Sequence, residues 1–372
     1  MSAGDAHTLL LEGDLLELGA AAHQVRNGFN DPEVASYNID RNINYTNICV
    51  YKCRFCAFYR EPGDAEGYLL PFEEIGQKIE ETLALNGTGI LMQGGVHPDL
   101  PIAYYKDLLS YIRENYPEVH LHAFSPPEIK FIAKKERLSF SEVIAELKEA
   151  GLMSIPGGGA EILSDEIRKQ VLAYPKTSAE EWIDIRRQAH GNDLRTSATM
   201  MYGMGETLEA RVEHLQRIRD LQDETKGFTA FISWTFQHDH TDMEEISETF
   251  AHEYLSTLAV SRLFLDNIVH LQTSWVTQGK KIGQLGLFFG ADDMGSIMIE
   301  ENVVSAAGTA FRMSQEEMEH LVRSAGYTPR QRTNLYETFV TRESTAATAQ
   351  RYRHALTPQN RDLAEPLLPV VS

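Results

Sequence analysis

The sequence predicts an α/β fold, a (βα)8 TIM-type barrel, on three observations. Eight short apolar runs recur at intervals of roughly 30–40 residues along the 372-residue chain. Amphipathic helical patterns fill the intervals. Polar and glycine-rich clusters follow several of the runs, which is where a barrel places the loops of its C-terminal rim. An open six-stranded barrel would read almost the same way.

The runs are 42–46, 89–94, 120–124, 152–156, 195–200, 230–236, 269–274 and 285–289. After the first comes a helix on which Phe72, Ile75, Ile79 and Leu83 share one face, stopped by Asn86-Gly87. Ser139 with Glu142 reads as a capping box that opens the helix before Gly151, and Ser314 with Glu317 opens a later one closed by Gly326. Residues 1–41 read as an N-terminal helical prelude, 42–308 as the barrel, and 309–372 as a C-terminal helical extension packed on it. With no Gly/Ser-rich linker, one compact domain is expected.

Composition narrows the function. The chain is 42% hydrophobic and 24% charged, as ordinary globular enzymes are. A formal charge of −20 argues against a nucleic-acid partner, which requires a basic surface. No apolar run approaches the ~18 residues of a membrane span. The N-terminus carries Asp5, Glu12, Asp14 and Glu17 and no basic stretch, unlike a secretory signal. The cysteines lie too close together for a disulfide framework, so a reducing, cytoplasmic setting is expected.

Those cysteines carry the chemistry. Cys49, Cys53 and Cys56 are the only thiols in the chain, spaced Cys-x3-Cys-x2-Cys after the first strand. Structural zinc takes four ligands, and no histidine lies between His23 and His97, so only a distant histidine can complete such a site. The other reading is a [4Fe–4S] cluster held by three thiolates, with the fourth iron open to a ligand.

With Phe55 before the last cysteine, this pattern resembles the radical S-adenosylmethionine superfamily. The stretch Asn44-Tyr45-Thr46-Asn47-Ile48-Cys49 is similar to the futalosine-pathway enzymes of menaquinone biosynthesis and their deazaflavin-cofactor relatives. So are Gln93-Gly94-Gly95-x-His97-Pro98, Ser125-Pro126-Pro127-Glu128 and Gly157-Gly158-Gly159-Ala160-Glu161. Thr196-Ser197-Ala198-Thr199-Met200, Trp234-Thr235-Phe236-Gln237 and Gly290-Ala291-Asp292-Asp293 most resemble the cyclases of that group. His238-Asp239-His240 departs from the pattern. The resemblance implies a [4Fe–4S] cluster, S-adenosyl-L-methionine, dehypoxanthine futalosine as substrate, and an electron donor such as flavodoxin or ferredoxin. It also implies hydrogen abstraction at the sugar C4′, spirocyclisation onto the benzoate ring, and loss of an electron and a proton. Aminofutalosine synthases and deazaflavin-cofactor synthases are the rival activities, and a zinc- or cluster-bearing scaffold protein is the non-enzymatic one.

The resemblance assigns Cys49, Cys53 and Cys56 to the metal. Phe55, Tyr59, Gly94, Gly95, Ser125, Glu128, Glu161 and Arg168 become cofactor-binding candidates. Each has a plainer reading: Gly94 and Gly95 as a tight turn, Glu128 as a helix cap, Arg168 as a surface arginine. Tyr45, Trp234, Gln237 and Asp292 are substrate-side candidates, although aromatics near strands are ordinarily core. Asp293 and His97 are the candidate bases, with N-capping and a buried histidine as alternatives.

Overall fold

Strand residues in a barrel divide by parity, one set facing the lumen and the other the helices. The computed structural model describes residues 1–171, 176–308 and 312–364, apart from the side chain at 362. Ten strands among them pair in parallel: β1 (Val34–Asn38), β2 (Asp40–Ile43), β3 (Gly89–Met92), β4 (His120–Ala123), β5 (Ser154–Ile155), β6 (Arg195–Tyr202), β7 (Phe228–Thr235), β8 (His270–Gln272), β9 (Asp293–Ser296) and β10 (Thr328–Gln331). Their order is β10-β1-β9-β8-β7-β6-β5-β4-β3-β2.

β1 and β2 are halves of one extended segment interrupted at Ile39. The first half pairs with β9 and β10, the second with β3. At the junction the Ile297 amide donates to Asn38 O at 3.2 Å and the Thr88 amide to Ile39 O at 3.1 Å. Both ends of the curled sheet therefore meet on this segment. Counted once, it makes eight staves with β3 to β9, and β10 adds a flank.

The outward residues are apolar. Ile43, Ile90, Met92, Leu121 and Ile155 pack beneath the helices Phe72–Ala84, Ile102–Asn115 and Phe140–Ala150, while Ala198, Met200, Phe231 and Leu271 do the same on the far half. Ile75, Ile79 and Leu83 are all buried, and the Ser139–Glu142 capping box forms as its spacing predicts. Among the described residues, no helix is long and apolar enough to cross a membrane.

Three elements differ from expectation. The first strand begins at Val34, within the stretch read as helical prelude, and ends at Ile43, short of Thr46. Ala35, Tyr37, Ile39 and Ile43 alternate along it with Ser36, Asn38, Asp40 and Asn42, a period-two strand pattern that lies mostly ahead of the expected start at residue 42. The run 285–289 is no strand: the helix Trp275–Gly286 continues into it, and the eighth stave is β9. A short apolar run has no periodicity long enough to separate helix from strand. Finally, the stretch read as a helical extension supplies β10 beside β1.

Candidate active site

The loop after β2 carries the three thiols. Cys49 and Cys56 are half-buried and Cys53 is buried, packed with Tyr51 and Val96 and flanked by Phe55 and Phe131. Backbone bonds fix the loop: Cys49 N–H to Arg60 O at 2.9 Å, Val50 N–H to Val96 O at 3.0 Å, and Cys56 N–H to Cys53 O at 3.0 Å. The glycines after β3 complete this seat. A Cβ on Gly95 would lie 2.3 Å from Ile48 O, and one on Gly94 would lie 2.5 Å from the Tyr45 ring. Close packing therefore demands both glycines, whatever their carbonyls bind.

Among the described residues, no three His, Cys, Asp or Glu side chains converge on a single metal ion. A cluster differs in that each thiolate takes its own iron, so its ligands spread over a wider triangle. Burial raises the thiol pKa of Cys49 and pushes that of Cys56 up to about 11, so metal must displace protons to bind there.

Beside Cys53 lies a buried charged group. Glu161, at φ +41° after β5, sits 3.2 Å from Lys176 Nζ and 3.5 Å from Arg168 Nη1. Its Oε2 is buried without a hydrogen-bond partner among the described residues. Burial works against the charge on Lys176, but the Cys53 thiolate and Glu161 outweigh it and raise its pKa. Lys176 also lies over the Phe55 ring, 5.0 Å from its centroid. A lone carboxylate oxygen beside three thiols fits a ligand with amine or hydroxyl donors. This donor set and this orphan oxygen are what a cluster with S-adenosylmethionine on its open iron needs.

Several candidates prove to be supports. Arg168 is 4% exposed and donates to the carbonyls of Gly159, Ala160, Ile162 and Thr177. It clamps the loop that carries Glu161 and is neither a surface arginine nor free to take a carboxylate. Tyr45 is fully buried among Tyr105 and Phe124, and its hydroxyl donates to Glu128 Oε1 at 2.6 Å, so it cannot stack on a substrate. Glu128 also accepts from Gly94 N–H at 3.2 Å and from the Ser125 hydroxyl, and burial pushes its pKa up to about 7. Tyr59 is half-buried, beside the thiol loop.

The strand assignment displaces two more. Asp292 and Asp293 begin β9, so they lie at the floor of the barrel and not at its rim. Asp293, fully buried, accepts from Arg332 Nε and Nη2 at 2.5 and 3.0 Å and from Ser36 Oγ at 2.5 Å. Asp292 accepts from Arg262 at 3.1 Å, His270 at 2.7 Å and the Leu271 amide at 2.8 Å. Both are engaged in closing the barrel and neither lines the lumen, so the structure lends no support to the base role expected of Asp293 or the substrate role expected of Asp292. His97 stays outside the lumen, where its Nδ1 accepts the Asp99 amide and burial lowers its pKa.

The lumen itself is a cavity of about 320 Å3. Trp234 lines it, as do residues the sequence reading did not assign to the site: Asn38, Asp40, Asn42, His122 and Glu301, with Gln93, Ser197 and Thr199 quoted only as motif residues. TIM-type interiors are ordinarily filled by branched apolar side chains, so this polar lining marks a binding space. The period-two polar residues Asn38-x-Asp40-x-Asn42 and Ser197-x-Thr199 were the available signal. Gln237 is outside the lining, half-buried, and donates to the Thr235 and Phe236 carbonyls. The His238-Asp239-His240 stretch bridges the mouth: His240 Nδ1 lies 3.1 Å from Ala306 O, and the nearby Asp242 amide donates to Arg54 O at 2.8 Å.

A closed parallel barrel with three thiols on the loop after its first stave defines a class, the radical S-adenosylmethionine enzymes. The Radical SAM superfamily matches residues 43–218, and the CofH/MqnC C-terminal region matches 225–345. The chain is 48% identical to the cyclic dehypoxanthine futalosine synthase of Halalkalibacterium halodurans, over 93% of this chain and 94% of that one. The synthase of that name from Streptomyces coelicolor is 42% identical over 92% and 86%. The aminodeoxyfutalosine synthase of the same organism is 37% identical over 90% and 89%. Among solved structures, the FeFe-hydrogenase maturase HydG of Carboxydothermus hydrogenoformans shares the fold at a TM-score of 0.73, with 15% identity over 98% and 83%. The chain belongs to the radical SAM superfamily and, within it, to the family of the cyclic dehypoxanthine futalosine synthases.

Proposed function

We propose that this protein converts dehypoxanthine futalosine to cyclic dehypoxanthine futalosine, a step of menaquinone biosynthesis. The observation that carries the reading is the three-thiol loop after the first stave, in a barrel whose interior holds a cavity of about 320 Å3 and a chain 48% identical to a relative of that name. When bound, the cluster and S-adenosylmethionine supply a 5′-deoxyadenosyl radical.

Cys49, Cys53 and Cys56 hold the cluster, and Glu161 receives a donor of S-adenosylmethionine with its unpartnered oxygen. Phe55 and Tyr59 flank the cofactor. Gly94 and Gly95 offer it their carbonyls while Glu128, Ser125 and Tyr45 steady the loop from below. The substrate lies in the lumen against Trp234, its sugar C4′ toward the thiol loop and its benzoate ring deeper. Enclosure by the barrel and the 238–248 loop keeps water from the radical. An electron donor such as flavodoxin or ferredoxin reduces the cluster.

Anaerobically reconstituted protein, given reductant, S-adenosylmethionine and dehypoxanthine futalosine, forms free 5′-deoxyadenosine in step with cyclic product. Adenosine incorporated into the product instead overturns the cyclase reading in favour of a synthase. A colourless protein that holds zinc and takes up no iron or sulfide overturns radical chemistry altogether.

A further inference from the structure

Closing the ring leaves the arene one electron and one proton from aromaticity, and with Asp293 and His97 elsewhere the acceptor of that proton must lie in the lumen. We propose that Asp40 is that acceptor, an assignment that rests on the cyclase reading above. The new bond joins the sugar C4′ to a ring carbon. The C–H bond at that carbon then breaks, its proton passes to the Asp40 carboxylate, and one electron leaves to an oxidised iron–sulfur cluster. Summed with the reductive cleavage of S-adenosylmethionine, the substrate loses two hydrogen atoms: one leaves in 5′-deoxyadenosine, the other as a proton.

Position argues for Asp40 first. Its neighbour Arg41 points outward to Glu81 at 2.7 Å and Glu300 at 2.6 Å, so parity turns position 40 into the lumen. Asp40 lines the cavity below the thiol loop, where the ring must lie if the sugar faces the radical source. Asn38 Nδ2 donates to its Oδ2 at 2.9 Å and holds the carboxyl against the wall.

Comparison with the other acceptors on the lining argues for it again. Glu301 accepts the Val303 and Val304 amides at 2.8 Å on one oxygen and Asn42 Nδ2 at 2.9 Å on the other, so its carboxylate serves as a cap. His122 has Nδ1 on Ser154 Oγ at 2.6 Å, and burial, with His120, Arg186 and Arg332 nearby, keeps its imidazole from holding a proton. The groups facing Asp40 are Arg332 and Asp293 from the floor, Ser296 on β9 and Asn38 on β1. Burial is the largest influence and raises the pKa of Asp40, as it does for Glu301, so geometry separates the two: the Glu301 carboxylate is committed to the Val303 and Val304 amides.

The test compares Asp40→Asn with wild type, both reconstituted anaerobically, measuring 5′-deoxyadenosine and cyclic product from the same reactions across pH. In the variant, cyclic product falls by about 10²–10⁴-fold, the usual loss for a general base. Substrate-dependent 5′-deoxyadenosine persists in excess of product, and the acid limb of the wild-type pH profile disappears. Calorimetry on the iron-free protein gives an unchanged Kd for dehypoxanthine futalosine, and Asp40→Glu restores part of the product. A wild-type ratio of product to 5′-deoxyadenosine with a wild-type pH profile overturns the proposal. So does loss of substrate binding or of the fold in the variant, which makes Asp40 a structural group. Wild-type enzyme that forms no 5′-deoxyadenosine with this substrate defeats the cyclase reading itself, and the Asp40 assignment with it.

Discussion

At the rim of the barrel, Glu161 keeps a buried carboxylate oxygen with no hydrogen bond among the described residues, 3.5 Å from Arg168 Nη1, and holds its backbone at φ +41°. At the floor, Asp293 has both oxygens engaged by Arg332, a third bond from Ser36 and a fourth from the Gly295 amide. Both are acidic groups at the end of a stave, each beside an arginine. The rim carboxylate keeps one oxygen with no hydrogen bond among the described residues, on a strained backbone; the floor carboxylate has both oxygens bonded. Unmet hydrogen-bonding capacity and strain point to a place where a ligand completes the structure. Fully met capacity points to closure. Residue type alone does not separate the two.

Substitutions at the two ends should therefore fail in different ways. The largest effect is at the rim: Cys53→Ala removes one of three cluster ligands, and product formation drops below detection while the thermal midpoint of the iron-free protein hardly moves. Iron content and visible absorbance check it. At the floor, Arg332→Met leaves the Asp293 charge buried and unpaired, a destabilisation of about 3–5 kcal/mol in denaturant titrations. Molecules that remain folded still take up iron.

Between the two lies Glu128, a rim residue that is nonetheless fully engaged. Its pKa in the folded protein, about 7, stands above the ordinary carboxyl value of 4.5. The native state thus holds the proton more tightly, and stability declines as pH rises from the unfolded value through about 7, by roughly 3 kcal/mol in all. Glu128→Gln removes this decline, which stability curves at several pH values will register. A smaller effect is Gly95→Ala, whose new methyl meets Ile48 O at 2.3 Å and shifts the thiol loop for about 1–3 kcal/mol, with faster loss of iron. Gly28→Ala, in the helix Leu15–Phe29 with nothing within 4 Å, should instead gain up to about 1 kcal/mol.

The thiol loop was legible in the sequence because its signal is local: three cysteines in eight residues and an aromatic between them. Strands with apolar outward faces, such as β3 and β4, were legible for the same reason. What escaped were the elements whose meaning depends on the closed barrel. β1 and β2 turn Asn38, Asp40 and Asn42 into the lumen, and a reading that began the strand at residue 42 left Asn38 and Asp40 in the prelude. A misplaced eighth stave then turned the floor into the rim and made a candidate base of Asp293 and a substrate-side candidate of Asp292. Arg168 and Tyr45 are right as neighbours of the site, but only their partners show that they hold other groups in place.

The segment 34–43 begins the sheet, yet it also ends it. Ser36 bonds a residue 257 positions later in the chain, and Val34 pairs with Thr328. While the chain is being made, this strand can acquire β3 early but must keep its other edge bare until β9 and β10 leave the ribosome. Such distant pairing slows folding and exposes a bare strand edge to other chains. Polar side chains along that strand, Ser36, Asn38, Asp40 and Asn42, keep the waiting edge hydrated. Three of them, Asn38, Asp40 and Asn42, line the chamber once the barrel has closed.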